Sequence, residues 1–74
     1  MKIKNIGSNQ TQVDLSNGDS ILVSYSANVA ANVGGKFYKT AQKWSVTTSK
    51  HISRWLNDAN AEIQPQSFFD NLAA

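Results

Sequence analysis

Nine consecutive residues, Lys43-Trp44-Ser45-Val46-Thr47-Thr48-Ser49-Lys50-His51, bring cations, hydroxyls, an indole and the single histidine of this 74-residue chain together. Lys43 and Lys50 supply positive charge, joined by Arg54 just beyond, and Ser45, Thr47, Thr48 and Ser49 supply hydroxyls. A segment like this, passing from a strand end into a helix, suits an anion. Free backbone N–H groups and the dipole at a helix N-terminus both attract negative charge. Lys50 and Arg54 are four apart and share one helix face. Three cations beside a helix N-terminus oppose its dipole, and a helix selected for stability alone would favour Asp or Glu there. The alternative is that the hydroxyls only cap the helix and the cations form a solvated face. No glycine-rich loop precedes the segment, and Gly34-Gly35-Lys36 has the wrong spacing for a phosphate loop.

Aromatic residues interleave with these cations: Tyr25, Phe37, Tyr38 and Trp44. On a strand, Phe37 and Tyr38 face opposite sides, so at least one turns away from the main core. An exposed ring beside a cation is what base stacking needs. A subunit interface would use the same ring as an anchor. Tyr25 and Tyr38 therefore join Lys43, Trp44 and the hydroxyl-rich segment as candidate ligand-binding residues. His51 as a general base would need a nucleophile and an orienting group. Ser49, Ser53 and Asp58 are near it in sequence but form no defined triad. Asp14 and Asp19 flank a turn, where aspartate bonds locally. With one histidine and no acidic cluster, no catalytic residue, metal ligand or cofactor is expected, and the chain reads as a binder rather than an enzyme.

The elements that must position these residues follow from periodicity. Residues 2–6 read as a strand closed by Gly7, and residues 10–15 as a second with Val13 and Leu15 on one face. Asn17-Gly18 is a hairpin signal whose two central positions both need positive φ. Ile21-Leu22-Val23-Ser24-Tyr25 is apolar enough for a central strand buried on both faces, and Val29 and Val33 favour its extended continuation, giving a strand over 20–32. Gly34-Gly35 marks the next hairpin, and a strand over 36–44 follows. Ile52, Trp55, Leu56 and Ala59 keep the i, i+3, i+4, i+7 spacing of a helix over 48–60, with Trp55 as its core anchor. Thr47, Thr48 and Ser49 are its candidate N-caps. Ile63 continues the apolar side. Pro65 opens a short helix over 65–73 whose apolar side is Phe68, Phe69 and Leu72. The expected fold class is α+β: one domain over 1–74, with a three- to four-stranded antiparallel sheet followed by an amphipathic helix and a short C-terminal helix.

Size and composition bound the function. A chain this short holds one core and is marginal alone. It has no cysteine and one histidine, so disulfides and a histidine-rich metal site are excluded. Homo-oligomerisation is the expected source of extra stability. The absence of cysteine fits a reducing cytoplasm. No apolar run approaches the ~20 residues of a membrane-spanning helix, and Met1-Lys2-Ile3-Lys4-Asn5 has no apolar stretch behind it, so neither a membrane segment nor a signal peptide is expected. Net charge is only +2. Yet five of the seven basic residues lie between Lys36 and Arg54 with no acid between them, and Asp58, Glu62 and Asp70 follow. The middle of the chain is locally positive.

The runs 21–26, 29–30, 38–40 and 44–56 also carry a likeness. With its stretch Trp-Ser-x-Thr-Thr-Ser-Lys-His-Ile at 44–52, the chain resembles short proteins encoded by bacteriophages and prophages, over roughly residues 3–60. That group has no established activity, so no site residue carries over. The resemblance implies an accessory protein in the cytoplasm of a bacterial host. Proteins in that setting often block a host factor or sequester a small signalling nucleotide. Three readings follow. The first is a non-enzymatic binder that sequesters a small anionic, nucleotide-derived ligand, with a counter-defence role. The second is a protein–protein inhibitor of a host enzyme or defence complex, its aromatics serving as anchors. The third is a single-stranded nucleic-acid binder, which the low net charge disfavours.

Overall fold

Short apolar runs separated by tight turns fold into an antiparallel meander of five strands: β1 (Lys2–Gly7), β2 (Gln10–Asp14), β3 (Ser20–Ser24), β4 (Ala27–Val33) and β5 (Lys36–Thr40). The chain then leaves the sheet through α1 (Val46–Leu56), returns as β6 (Ala61–Gln64) and ends in α2 (Gln66–Leu72). β6 lies parallel to β5, a pairing that needs a crossover connection, which α1 supplies. The six strands stand side by side in chain order. This computed structural model describes residues 2–7, 9–57 and 59–72. The class is α+β, with six strands rather than three to four.

The two additional strands have local causes. Residues 20–32 are not one strand, because the chain reverses at Tyr25-Ser26. Tyr25 sits at φ 59°, and its amide donates to the Asn9 carbonyl at 2.7 Å. A bulky residue in the left-handed region is a rarity that sequence patterns do not flag. β6 exists because α1 stops at Leu56 rather than at residue 60. Asn57 adopts the left-handed conformation (φ 50°, ψ 51°) and its N–H bonds the Ser53 carbonyl, a common helix stop. Ile63 therefore lies in β6, 61% exposed, instead of extending the helix stripe.

Other boundaries move for similar reasons. α1 starts at Val46, two residues early, because Ser45 and not Thr47, Thr48 or Ser49 is the N-cap: its hydroxyl accepts the Thr48 N–H at 3.2 Å. The strand expected over 36–44 ends at Thr40, which frees residues 41–45 as a loop. Pro65 precedes α2 instead of opening it, and its carbonyl accepts the Phe68 N–H at 3.0 Å. Asp58, inside the expected first helix, and Ala73, at the end of the expected second, lie outside the described residues. Gly34 and Gly35 both take positive φ, 61° and 85°, as the two-residue hairpin predicts. At Asn17-Gly18 only Gly18 does, at 94°. There the Leu15 N–H reaches the Asp19 carbonyl at 2.7 Å and the Gly18 N–H reaches the Leu15 carbonyl at 3.1 Å, which closes a three-residue loop instead.

One helix covers each face of the sheet. Successive residues of β3 alternate between them. Leu22 packs with Val29 and Ala30 beneath Ile52 and Trp55 of α1. Ile21 packs with Ala31 beneath Phe69 of α2. β3 is thus the central strand, buried on both faces as its composition predicts. β1 differs: all six residues are exposed, and Lys2 and Lys4 on this edge oppose pairing with a further strand. No helix among the described residues is long and apolar enough to cross a membrane.

Candidate functional site

Strand parity, the helix period and a pinned loop together build a cavity of about 230 Å³ on the α1 side of the sheet. Phe37 and Lys39 alternate with Tyr38 along β5, so they share the α1 face. Phe37 meets the Trp55 ring edge-on at 5.9 Å, and Lys39 lines the cavity. Ser49 and Ser53, four apart on α1, present one flank of the helix to it, with Ile52 beside them. Residues 41–45 close it, bringing Lys43 and the half-exposed Trp44. The base of that loop is held from several directions. The Thr40 hydroxyl donates to Gln66 Oε1 at 2.8 Å and accepts the Gln42 N–H at 3.1 Å, while the Ala41 N–H bonds the Gln64 carbonyl at 2.9 Å. Lys39 and Lys43 are the charged groups of the lining, and no carboxylate among the described residues faces them there.

A second cluster lies inside the same interface. Ser24, Thr48 and His51 are all buried. Ser24 Oγ is 2.8 Å from His51 Nδ1 and 3.1 Å from Thr48 Oγ1, and Ser45 Oγ donates to Thr48 Oγ1 at 3.3 Å. Each hydroxyl has one proton to give. Ser45, Thr48, Ser24 and His51 Nδ1 thus form one continuous hydrogen-bonded chain. This is a Ser–His contact without the geometry of an activated nucleophile: the hydroxyl is 1% exposed and saturated with partners. At the edge of the cluster the Tyr25 ring lies 6.0 Å from the imidazole.

The structure divides the candidates that the sequence groups together. Lys43, Trp44 and Ser49 line the cavity. Ser45 is spent on the cap, and Thr48 and His51 on the buried chain. Lys50 and Arg54 are exposed on α1, as is Thr47 in its first turn. His51 projects about 200° around the helix from both Ser49 and Ser53, so Tyr25 beside it lies on the opposite flank from the cavity. Tyr38 belongs to neither group. It faces α2 across the sheet, 5.0 Å from Phe68, with the Lys36 ammonium 5.7 Å from its ring. Sequence reasoning missed Lys39, Ile52 and Ser53 as lining residues. The available signal was parity: Lys39 shares a strand face with Phe37, which meets the helix anchor Trp55. The helix N-terminus is capped from within, Ser45 taking the amides of Thr48 by its hydroxyl and of Ser49 by its carbonyl. The exposed cations therefore belong to the cavity and to the helix surface.

Fold and site together define a small α+β domain, a meander sheet closed by one parallel strand, helices on both faces, and a cationic cavity at the flank of the first helix. The chain belongs to a family of unknown function, DUF8033, whose model matches residues 1–71. No curated protein and no solved structure matches it.

Proposed function

We propose that this protein is a non-enzymatic binder of a small anionic, nucleotide-derived ligand held in the α1-flank cavity. One observation carries the reading: the lining places two lysines and an indole around a space that, among the described residues, no carboxylate enters. Lys39 and Lys43 provide charge for a phosphate, Ser49 and Ser53 provide hydrogen bonds, and Trp44 provides a face on which a planar ring stacks. A cavity of about 230 Å³ lies below the ~300–1,000 Å³ of drug-sized pockets. It accepts one phosphate or one base, with the rest of the ligand outside. The binder reading also agrees with His51, whose Nδ1 and nearest hydroxyl are committed to each other. The likeness to phage-encoded proteins supplies the setting, sequestration of the ligand in a bacterial host with a counter-defence role.

Native mass spectrometry of protein purified from a bacterial cytoplasm tests this, followed by denaturing analysis of what is released. The expected result is a defined species carrying one small molecule per site, lost in the Lys39→Ala/Lys43→Ala double variant. Bound ligand also raises the melting temperature by mass action. An empty protein that no nucleotide, cyclic nucleotide or sugar phosphate stabilises would overturn the proposal.

A further inference from the structure

The net charge of +2 hides a division between the two faces of the sheet. Lys39 and Lys43 line the cavity, and Lys50 and Arg54 stand on α1. Lys4 is the cross-strand partner of Gln12, whose side chain accepts the Trp55 indole N–H of α1 at 2.9 Å, so Lys4 and, two residues away, Lys2 share that face. Six of the seven basic residues are thus on the α1 side. The seventh, Lys36, pairs with Glu62 on the α2 side at 3.5 Å, and Asp70 lies on α2. Among the described residues, the acid that shares the α1 face is Asp14, set beside Lys2 in the sheet register. Two exposed aromatics flank this surface: Trp44 at the cavity and Tyr25 on the far flank of the helix. Tyr25 is held at φ 59°, a conformation that glycine would take without strain.

We propose that the α1 side binds a single strand of nucleic acid, with bases stacked on Tyr25 and Trp44 and phosphates following Lys39, Lys43, Lys50 and Arg54. This extends the cavity reading and rests on it, since the cavity then takes one nucleotide of the strand. Charge complementarity selects a polyanion. The pair of exposed rings selects unstacked bases, which a duplex keeps inside and a lipid surface lacks. Lys50 and Arg54 lie on the outward surface of α1, between the two rings, where a strand crossing the helix places its backbone.

The test is fluorescence anisotropy with a labelled oligothymidylate of roughly twelve nucleotides, inside the ~4–16-nucleotide footprint of small single-strand binders. Thymidine monophosphate, a duplex of equal length and vesicles of phosphatidylserine and phosphatidylcholine are the comparisons. The strand should bind at least tenfold more tightly than the mononucleotide. With four phosphates engaged, log K should fall against log salt with a slope of about −3, and Lys50→Ala and Arg54→Ala should each reduce that slope by about 0.7. Tyr25→Gly and Trp44→Ala should each weaken binding about fivefold or more. Tyr25→Gly also relieves the positive φ, so its melting temperature should not fall, which separates a lost ring from a lost fold. Lys36→Ala, on the other face, should leave binding unchanged. Mononucleotide binding with no gain for the strand would leave the cavity reading standing and overturn this one, and binding of neither would overturn this one while the cavity reading is decided by its own ligand panel. Tighter binding to the duplex, or vesicle binding indifferent to Tyr25→Gly, would also overturn the strand reading.

Discussion

The two faces of one sheet are built from different materials. Beneath α2 the contacts are apolar. Ile21 and Ala31 meet Phe69, and Tyr38, Phe68 and Phe69 follow one another at centroid distances of 5.0 and 5.1 Å. The charge there is paired, Lys36 with Glu62. Beneath α1 a comparable apolar cluster of Leu22, Val29 and Ala30 is bordered by polar groups: Gln12 holding the Trp55 indole, and Ser24 holding Thr48 and His51. Directional bonds of this kind fix where a helix sits along a strand, while apolar contact tolerates sliding. Among the described residues, no cation of the α1 side forms an ion pair. The α2 side supplies packing, and the α1 side spends part of its interior on orienting a helix that carries exposed charge.

The largest test of that contrast is Phe69→Ala. Removing a fully buried aromatic costs about 3–5 kcal/mol, a large part of the stability of so small a domain. Circular dichroism melting should show a cooperative transition lost or shifted far down. A melt close to the parent's would mean that the α2 side is not the stability centre. Ser24→Ala comes next. It leaves the Thr48 hydroxyl and His51 Nδ1 without their shared partner in a buried site, a loss of about 1–3 kcal/mol. Urea unfolding should rank it below Phe69→Ala, and the reverse order would invert the comparison.

The smallest effect is electrostatic. The Asp14 carboxylate accepts hydrogen bonds from Gln12 at 2.8 Å and Ser20 at 2.9 Å, with Lys4 and Lys2 nearby, and these hold its pKa below the ordinary aspartate value. On acidification the unfolded chain takes up this proton first. The stabilisation is therefore complete above about pH 4 and disappears as pH falls through the lowered native value. Asp14→Asn should melt slightly below the parent at pH 7, with the gap narrowing as the pH falls below about 4. A gap that keeps its size on acidification would show that the carboxylate's charge contributes nothing.

Much of the scaffold was legible in local pattern. The central β3, the Gly34-Gly35 hairpin, the inward face of α1 and the apolar side of α2 all follow from runs and periods read over a few residues. The hairpin at Tyr25-Ser26 left no mark, because the residue at its corner is one that turn statistics disfavour. β6 left a weak one: Ala61-Glu62-Ile63-Gln64 alternates as a strand does, but so short a run means little until α1 is known to stop at Asn57. For the site, the sequence located the right segment and grouped it too broadly. Of its candidates, Lys43, Trp44 and Ser49 meet in the cavity, while Thr48 and His51 turn inward.

Tyr38 and Lys39 state the division most sharply. Chemistry alone made Tyr38 a candidate and passed over Lys39, yet they are neighbours on one strand, and the side chain of one must lie on the opposite face from that of the other. By itself the sequence determined the central strand, the apolar sides of the two helices and the positive middle segment, since propensity, period and charge are properties of neighbours along the chain. Only the tertiary structure decided which face each residue joined. That choice depends on register, where a shift of one residue exchanges the two faces, and on the contacts that ended α1 and brought β6 back beside β5.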